Sequence, residues 1–191
     1  MATKSPRVFG IGAASAAGLA TAALAGVAYV ALRPPLFNFD GYLYRLYAFG
    51  PFTPDNLNPH HLLWYPLQRA LLALSQRLGH PTTAAFQLFG ILVSCVALVA
   101  LQRLLRRVSG SIRFATVATA FVAFSPKFWF FTLQNQPYPV VYLFLVLYLG
   151  CWYRADGSVP APARLVAAGF WLSLAIFFQQ GMALLVPAGV A

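Results

Sequence analysis

Apolar runs of helical length alternate along the chain with short polar or proline-rich connections. The first run, Val8 to Leu32, carries no charge, and at 1.5 Å per residue it reaches about 37 Å, enough to cross a bilayer core with some tilt. Arg33, Pro34 and Pro35 end it, and an aromatic, proline-rich stretch to Asn58 makes the first external loop. Asn58 as cap and Pro59 at the first helical position predict a second helix, running to about Leu78. On it His61, Tyr65, Gln68, Arg69 and Gln76 share one side, and Leu63, Leu67, Ala70, Leu71, Leu74 and Leu78 fall largely on the other. Such a stripe predicts a helix lying in the membrane interface, with a kink at Pro66.

Pro81 to Leu101 then reads as a crossing helix, followed by a loop bearing Arg103, Arg106, Arg107 and Arg113. Ser111 caps the next helix, Phe114 to about Phe131, whose outer end holds Pro126, a snorkelling Lys127 and an interfacial Trp129. A short turn, Gln134-Asn135-Gln136-Pro137, reverses the chain. Tyr138 to Tyr153 returns, Arg154 and Arg164 flank an inner loop, and Leu165 to about Val190 rises again. Five helices cross and one lies flat. Had the second helix spanned, the arginine-rich loop would face outward; with it flat, that loop is cytoplasmic, where Lys and Arg accumulate, and so is the amino terminus.

Composition turns this pattern into a fold class. The 191 residues are 60% hydrophobic and 8% charged, with a mean hydropathy of +0.71, beyond what a water-soluble domain of this size buries. Backbone amides in hydrocarbon must be satisfied internally, and the runs are too long and unalternating for barrel strands. The expected architecture is all-α, a polytopic transmembrane helical bundle over residues 1–191, with residues 33–80 forming an external loop and interfacial helix. Its expected site is the plasma (inner) membrane and its first partner the lipid bilayer.

The net charge of +10 does not point to nucleic acid, because the basic residues are scattered between apolar runs and do not line one face. Lys4 and Arg7 precede an apolar run too long for a signal-peptide core and lacking a polar cleavage region, so a retained anchor is expected. Cys95 and Cys151 lie in apolar runs without a metal or redox motif and read as packing residues. Ala191 directly follows an apolar run with no polar tail, and further helices are expected to close the bundle.

Candidate chemistry is sparse. The three acids are Asp40, Asp55 and Asp156. Asp55 in Thr53-Pro54-Asp55-Asn56 and Asp156 before Gly157 read as turn residues. Asp40, in Phe37-Asn38-Phe39-Asp40-Gly41-Tyr42-Leu43-Tyr44-Arg45, stands just past the first crossing helix. Spacing leaves two readings open. A carboxylate at that boundary, partly desolvated, would be a general base for an acceptor hydroxyl; alternatively Asp40 caps a short interfacial helix through Phe49. His60 and His61, at a helix amino terminus, lie where anions are favoured, or they solvate the interface. A metal is not expected there, since adjacent helical residues point about 100° apart and no carboxylate cluster completes a shell. Gln179 and Gln180, deep in apolar sequence, face either a cavity or a neighbouring helix.

An aspartate after the first membrane helix, then Asn58-Pro59-His60-His61-Leu62-Leu63-Trp64-Tyr65-Pro66-Leu67, then Ser125-Pro126-Lys127-Phe128-Trp129 and Gln136-Pro137-Tyr138, resembles the amino-terminal part of the GT-C superfamily of integral membrane glycosyltransferases. Within it the chain is most similar to the protein mannosyltransferase-like bacterial multi-pass transferases, which take sugar from a polyprenyl-phosphate carrier. The resemblance implies Asp40 as general base in an inverting transfer, with the polyprenyl phosphate leaving as a stable anion that needs no general acid. It also implies a phosphate held by Arg45, Lys127, His60 and His61, with Arg33 and Arg69 as further candidates, while Gln136 and Tyr138 contact the sugar. Lipid-headgroup contact is the competing role for each cation. Where many relatives carry a second acid, this chain has Gly41 and Gln136; a carboxamide can hydrogen-bond a sugar but cannot act as a base. A transporter-like or non-catalytic membrane module is the alternative to an enzyme.

Overall fold

The computed structural model describes residues 11–35, 37–51, 61–79, 82–153 and 160–185. All regular structure among them is helical: α1 (Ile11–Ala31), α2 (Phe39–Phe49), α3 (Trp64–Arg77), α4 (Thr82–Ser109), α5 (Ile112–Ala123), α6 (Pro126–Leu133), α7 (Tyr138–Trp152), α8 (Pro162–Phe178) and a terminal 3-10 turn, Gln180–Leu185. The all-α expectation is therefore met. Among the described residues, one helix is long and apolar enough by itself to cross a membrane, the stretch Thr83–Ser109, and α5 with α6 forms a second such stretch bent by 58°.

α4 is the axis of the molecule, with α1, α7, α5, α3 and α6 all packed on it, while α7 pairs with α8 and α2 with α3. It is longer than the apolar run predicts. Arg103, Arg106 and Arg107 stand in its last two turns and not in a loop, because Arg is a good helix former and cations suit a helix carboxyl end. Gly110, with φ of 68°, ends it in the left-handed region open to glycine. Ser111 then accepts from Phe114 N–H and caps α5 as predicted.

The continuous helix expected from Phe114 to Phe131 is broken. Pro126 has no N–H to continue the ladder; Ser125 restarts it by accepting from Phe128 N–H while donating to the Val122 carbonyl. The Ala123 carbonyl, left without its partner four residues on, accepts instead from the Tyr29 hydroxyl of α1. The bend lays α6 across α4, where Ser94 and Thr132 share a hydrogen bond of 2.9 Å. Gly90 makes this crossing possible: a Cβ there would stand 2.5 Å from the Thr132 carbonyl oxygen. Gly90→Ala is expected to force α4 and α6 apart and cost about 1–3 kcal/mol, read as a lowered thermal midpoint, whereas Gly150→Ala, with nothing within 4 Å of its Cβ position, leaves the midpoint unchanged or raised.

α8 also departs from expectation, stopping at Phe178 and not continuing towards Val190. Its carbonyls at Phe177 and Phe178 are taken by donors from the turn before α3: Leu63 N–H at 3.2 Å and His61 Nδ1 at 2.9 Å. Gln179 is extended there.

The largest difference lies in α3. Its predicted start at Asn58 and Pro59 falls outside the described residues, and Pro66 sits in the first turn, where a missing N–H removes no helical bond, so it gives no kink. Part of its polar stripe is turned inward: Tyr65 and Gln68 are buried, with Trp64, Leu72 and Ser75 beside them, whereas Gln76 is exposed; of the leucine side, Leu67 and Leu71 pack on the core while Leu74 and Leu78 are 52% and 60% exposed. Periodicity shows that two faces differ; it does not say which one meets protein, and in a lipid setting the leucine face can point outward.

Candidate functional site

Of the residues singled out by sequence, Gln136, Tyr138 and His61 come together with Asp40 around the amino half of α2. Asn38, not Asp40, caps that helix: its side chain accepts from Gly41 N–H at 2.8 Å, and Asp40 falls in the first turn. This removes the capping role from the two readings of Asp40. A carboxylate in the first turn is favoured by the helix dipole. The expected desolvation is not supplied by the protein, however, for Asp40 is exposed.

What fixes α2 is a set of buried carboxamides. The turn Gln134-Asn135-Gln136, expected at an external surface, is almost wholly buried, at 8%, 3% and 4% exposure. Gln134 Oε1 accepts from Asn38 N–H, Gln136 Nε2 reaches Asn38 Oδ1 at 3.4 Å, and Asn135 Nδ2 donates to the Gly41 carbonyl at 3.1 Å. Gln68 of α3 closes the set. The orientation that satisfies its neighbours puts its oxygen on Trp64 Nε1–H at 2.8 Å and Asn135 Nδ2 at 2.9 Å, and its nitrogen on the Tyr44 carbonyl at 2.7 Å. Gly41 is needed at this crossing, since a Cβ would lie 3.1 Å from Asn135 N and 2.9 Å from Asn38 Oδ1. Neutral amides can be buried in this way because each finds its partner.

One turn beyond Asp40 on the same helix stands Tyr44, half-buried, with His61 edge-on to its ring at 5.7 Å between centroids. Burial first, then the charge of Asp40, then the neighbouring Tyr138 and Tyr47 hydroxyls, push the Tyr44 phenol up from 10.0 to about 12. Tyr44 is therefore a neutral hydroxyl beside Asp40 at any physiological pH. Its raised value contributes stability that is complete below pH 10 and is lost as pH rises through about 12. Asp40→Asn should bring the Tyr44 titration, followed by tyrosine-selective carbon NMR, part of the way back towards 10, burial being the larger cause; an unmoved titration would separate the two side chains electrostatically.

The other predicted residues divide. Tyr138, at the start of α7, joins the cluster and packs on Phe131 at 4.3 Å. Gln136 is engaged with Asn38 and does not offer its carboxamide to an open cavity. His61 spends Nδ1–H on the Phe178 carbonyl, so that nitrogen is a donor to protein. Arg69 is likewise structural, donating to the Gly50 carbonyl at 2.6 Å and to Tyr65 Oη at 3.0 Å, which fastens the end of α2 to α3. Arg45, half-buried and five residues along α2 from Asp40, lies over the Phe49 ring, 5.7 Å from its centroid. Arg33 is exposed at the end of α1. His60 falls outside the described residues, as do Asp55 and Asp156.

Lys127 stands apart from this cluster: exposed on α6, it lines a cavity of about 350 Å³ with Ser125, Tyr142 and Ala97. Ala97 is fifteen residues, about 22 Å, along α4 from Thr82, so Lys127 sits beside the middle of the long helix. The cause is the break at Pro126, which stops α5 early and sends α6 sideways.

Sequence reasoning missed Asn38, Tyr44, Gln68 and Asn135. The available signal was the density of carboxamides at 134–136 between apolar runs with no acid or base beside them. No group of three His, Cys, Asp or Glu side chains that would hold a metal occurs among the described residues. No protein-family model matches the chain, and no curated protein and no solved structure matches it.

Proposed function

We propose that this chain is a multi-pass membrane glycosyltransferase of the GT-C type, moving a sugar from a polyprenyl-phosphate carrier to an acceptor hydroxyl at the external membrane face, with inversion. The observation that carries the reading is Asp40: the one acid among the described residues, exposed, and mounted on a short helix whose cap is locked into buried carboxamides. Asp40 takes the proton of the acceptor hydroxyl as its oxygen attacks the anomeric carbon, and the carrier phosphate departs with the bonding pair. Positioning supplies much of the rate, so the rigidity given by Asn38, Asn135 and Gln68 matters as much as the base. Arg45, half-buried and five residues further along α2, is the cation nearest in sequence for the phosphate.

The order of elements supports this placement. A crossing helix is followed by two short helices, α2 and α3, before the long α4, as expected for a loop of interfacial helices on the side opposite Arg106 and Arg107. α1, α7 and α8 are shorter apolar helices beside α4 and the bent α5–α6 pair; in this reading they complete crossings, with the amino terminus on the cytoplasmic side of the plasma membrane. The test is a panel of radiolabelled polyprenyl-phosphate sugars given to the full-length protein in proteoliposomes. Transfer from at least one donor to a hydroxyl acceptor is expected; no transfer from any would refute the enzyme.

One observation favours a transporter-like alternative, the helix broken at Pro126 beside a cavity that the exposed Lys127 lines, since discontinuous helices form solute sites. Solute flux through the same proteoliposomes without lipid-linked sugar would establish it.

A further inference from the structure

α1 and α7 both pack along α4 but not on each other, and the space between them is a groove of about 560 Å³. α4 is its floor. Small residues open it, Ala23 and Gly26 on α1 and Ala100 on α4, while Leu143 and Leu147 of α7 form the far wall. At one end stands Arg103, exposed and without a hydrogen-bond or ion-pair partner among the described residues. Arg106 and Arg107 follow one turn on. No acidic residue lies on α1, α4, α5 or α7.

We infer that this groove binds an anionic phospholipid, one acyl chain lying along α4 and the phosphate on Arg103. The inference rests on α4 crossing a bilayer and not on transfer chemistry. From Cys95, level with Gly26, to Arg103 is eight residues, about 12 Å. That is most of one leaflet of a hydrocarbon core about 30 Å thick, so the trench takes a chain from the Arg103 side and ends near mid-bilayer. Its apolar walls satisfy the chain; the guanidinium at its mouth, unpaired among the described residues, supplies what a phosphate needs, and an arginine holds phosphate oxygens in pairs. Two further cations one turn below select a net negative headgroup over a zwitterionic one. A second copy of the chain or another apolar helix would fill the trench but leave Arg103 unmatched.

The experiment is native mass spectrometry of the full-length protein titrated with phosphatidylglycerol or phosphatidylcholine of matched chains. Phosphatidylglycerol is expected to bind about five- to tenfold more tightly. Arg103→Gln should abolish that preference while leaving phosphatidylcholine unchanged, and Ala23→Phe, filling an exposed part of the groove, should weaken both lipids. Arg113→Gln, on α5 outside the groove, should change neither, and Asp40→Asn should bind both like the unaltered protein, which keeps this result independent of catalysis. Unchanged lipid selectivity in Arg103→Gln, or full binding in Ala23→Phe, would overturn the assignment. So would a protein dimer that Ala23→Phe converts to monomer without change in bound lipid, which would give the groove to a second copy.

Discussion

Asp40→Asn in the full-length protein is expected to lower sugar transfer from the carrier lipid by about 10²–10⁴-fold, the usual contribution of a positioned general base, with abundance and membrane insertion unchanged. The substitution is nearly isosteric at an exposed position, so it disturbs no packing. Its structural cost is limited to the loss of a negative charge in the first turn of α2, about 0.3–1 kcal/mol. Asp40→Glu should retain part of the activity, since it keeps the carboxylate but moves it by one methylene, and misplacement of that size costs on the order of 10²-fold. The measurement is the initial rate with a saturating donor. Full transfer by the asparagine variant would take Asp40 out of the reaction.

Asn135→Ala is expected to do comparable damage by a different route. Asn135 is 3% exposed and touches both α2 and α3, donating to the Gly41 carbonyl and to Gln68. Its truncation takes one hydrogen bond each from the Gly41 carbonyl and from Gln68, which keeps Trp64 and Tyr44, at about 0.5–1.5 kcal/mol apiece, and loosens α2 on the α6–α7 turn. Stability to thermal unfolding should fall by about 1–3 kcal/mol, and transfer should fall with it because Asp40 is held less firmly in place. Gln68→Ala alone should also destabilise, and the double variant should lose less than the sum of the two, since residues in one hydrogen-bond network couple. Strict additivity would show that the two carboxamides act separately.

These expectations depend on features that were unequally legible in the amino-acid sequence. The helical class, the cap at Ser111 and the span of α7, Tyr138–Trp152, follow from local signals, a serine before an apolar run and a proline at a helix start. The end of α8 does not. Gln179 lies in a run with no breaker before Gly181, and the helix stops there because Leu63 and His61, more than a hundred residues earlier, take its last carbonyls. No window along the chain contains that information.

α3 shows a second kind of limit. Its two faces were visible as a pattern, but the assignment of polar to water and leucine to protein or lipid depended on the solvent on each side. Asn135 donates to the Gln68 carboxamide oxygen across 67 positions, which makes the Gln68 side of the helix the better one to bury. The candidate site was half legible: Asp40 follows from its place after the first long run, whereas Asn38, Tyr44 and Asn135 acquire their parts only once the α6–α7 turn is folded beneath α2. Lys127 lies away from Asp40 because Pro126 starts a new helix bent by 58° from α5, where the apolar run alone predicts one straight helix.

The central claim is that Asp40 faces the exterior at the border of lipid and water. It is tested most directly by replacing Cys95 and Cys151 with serine, introducing Asp40→Cys, and exposing intact cells to a membrane-impermeant thiol reagent. The account predicts full labelling at position 40 before the membrane is opened, whereas labelling only after permeabilisation would put the carboxylate on the cytoplasmic side and contradict it.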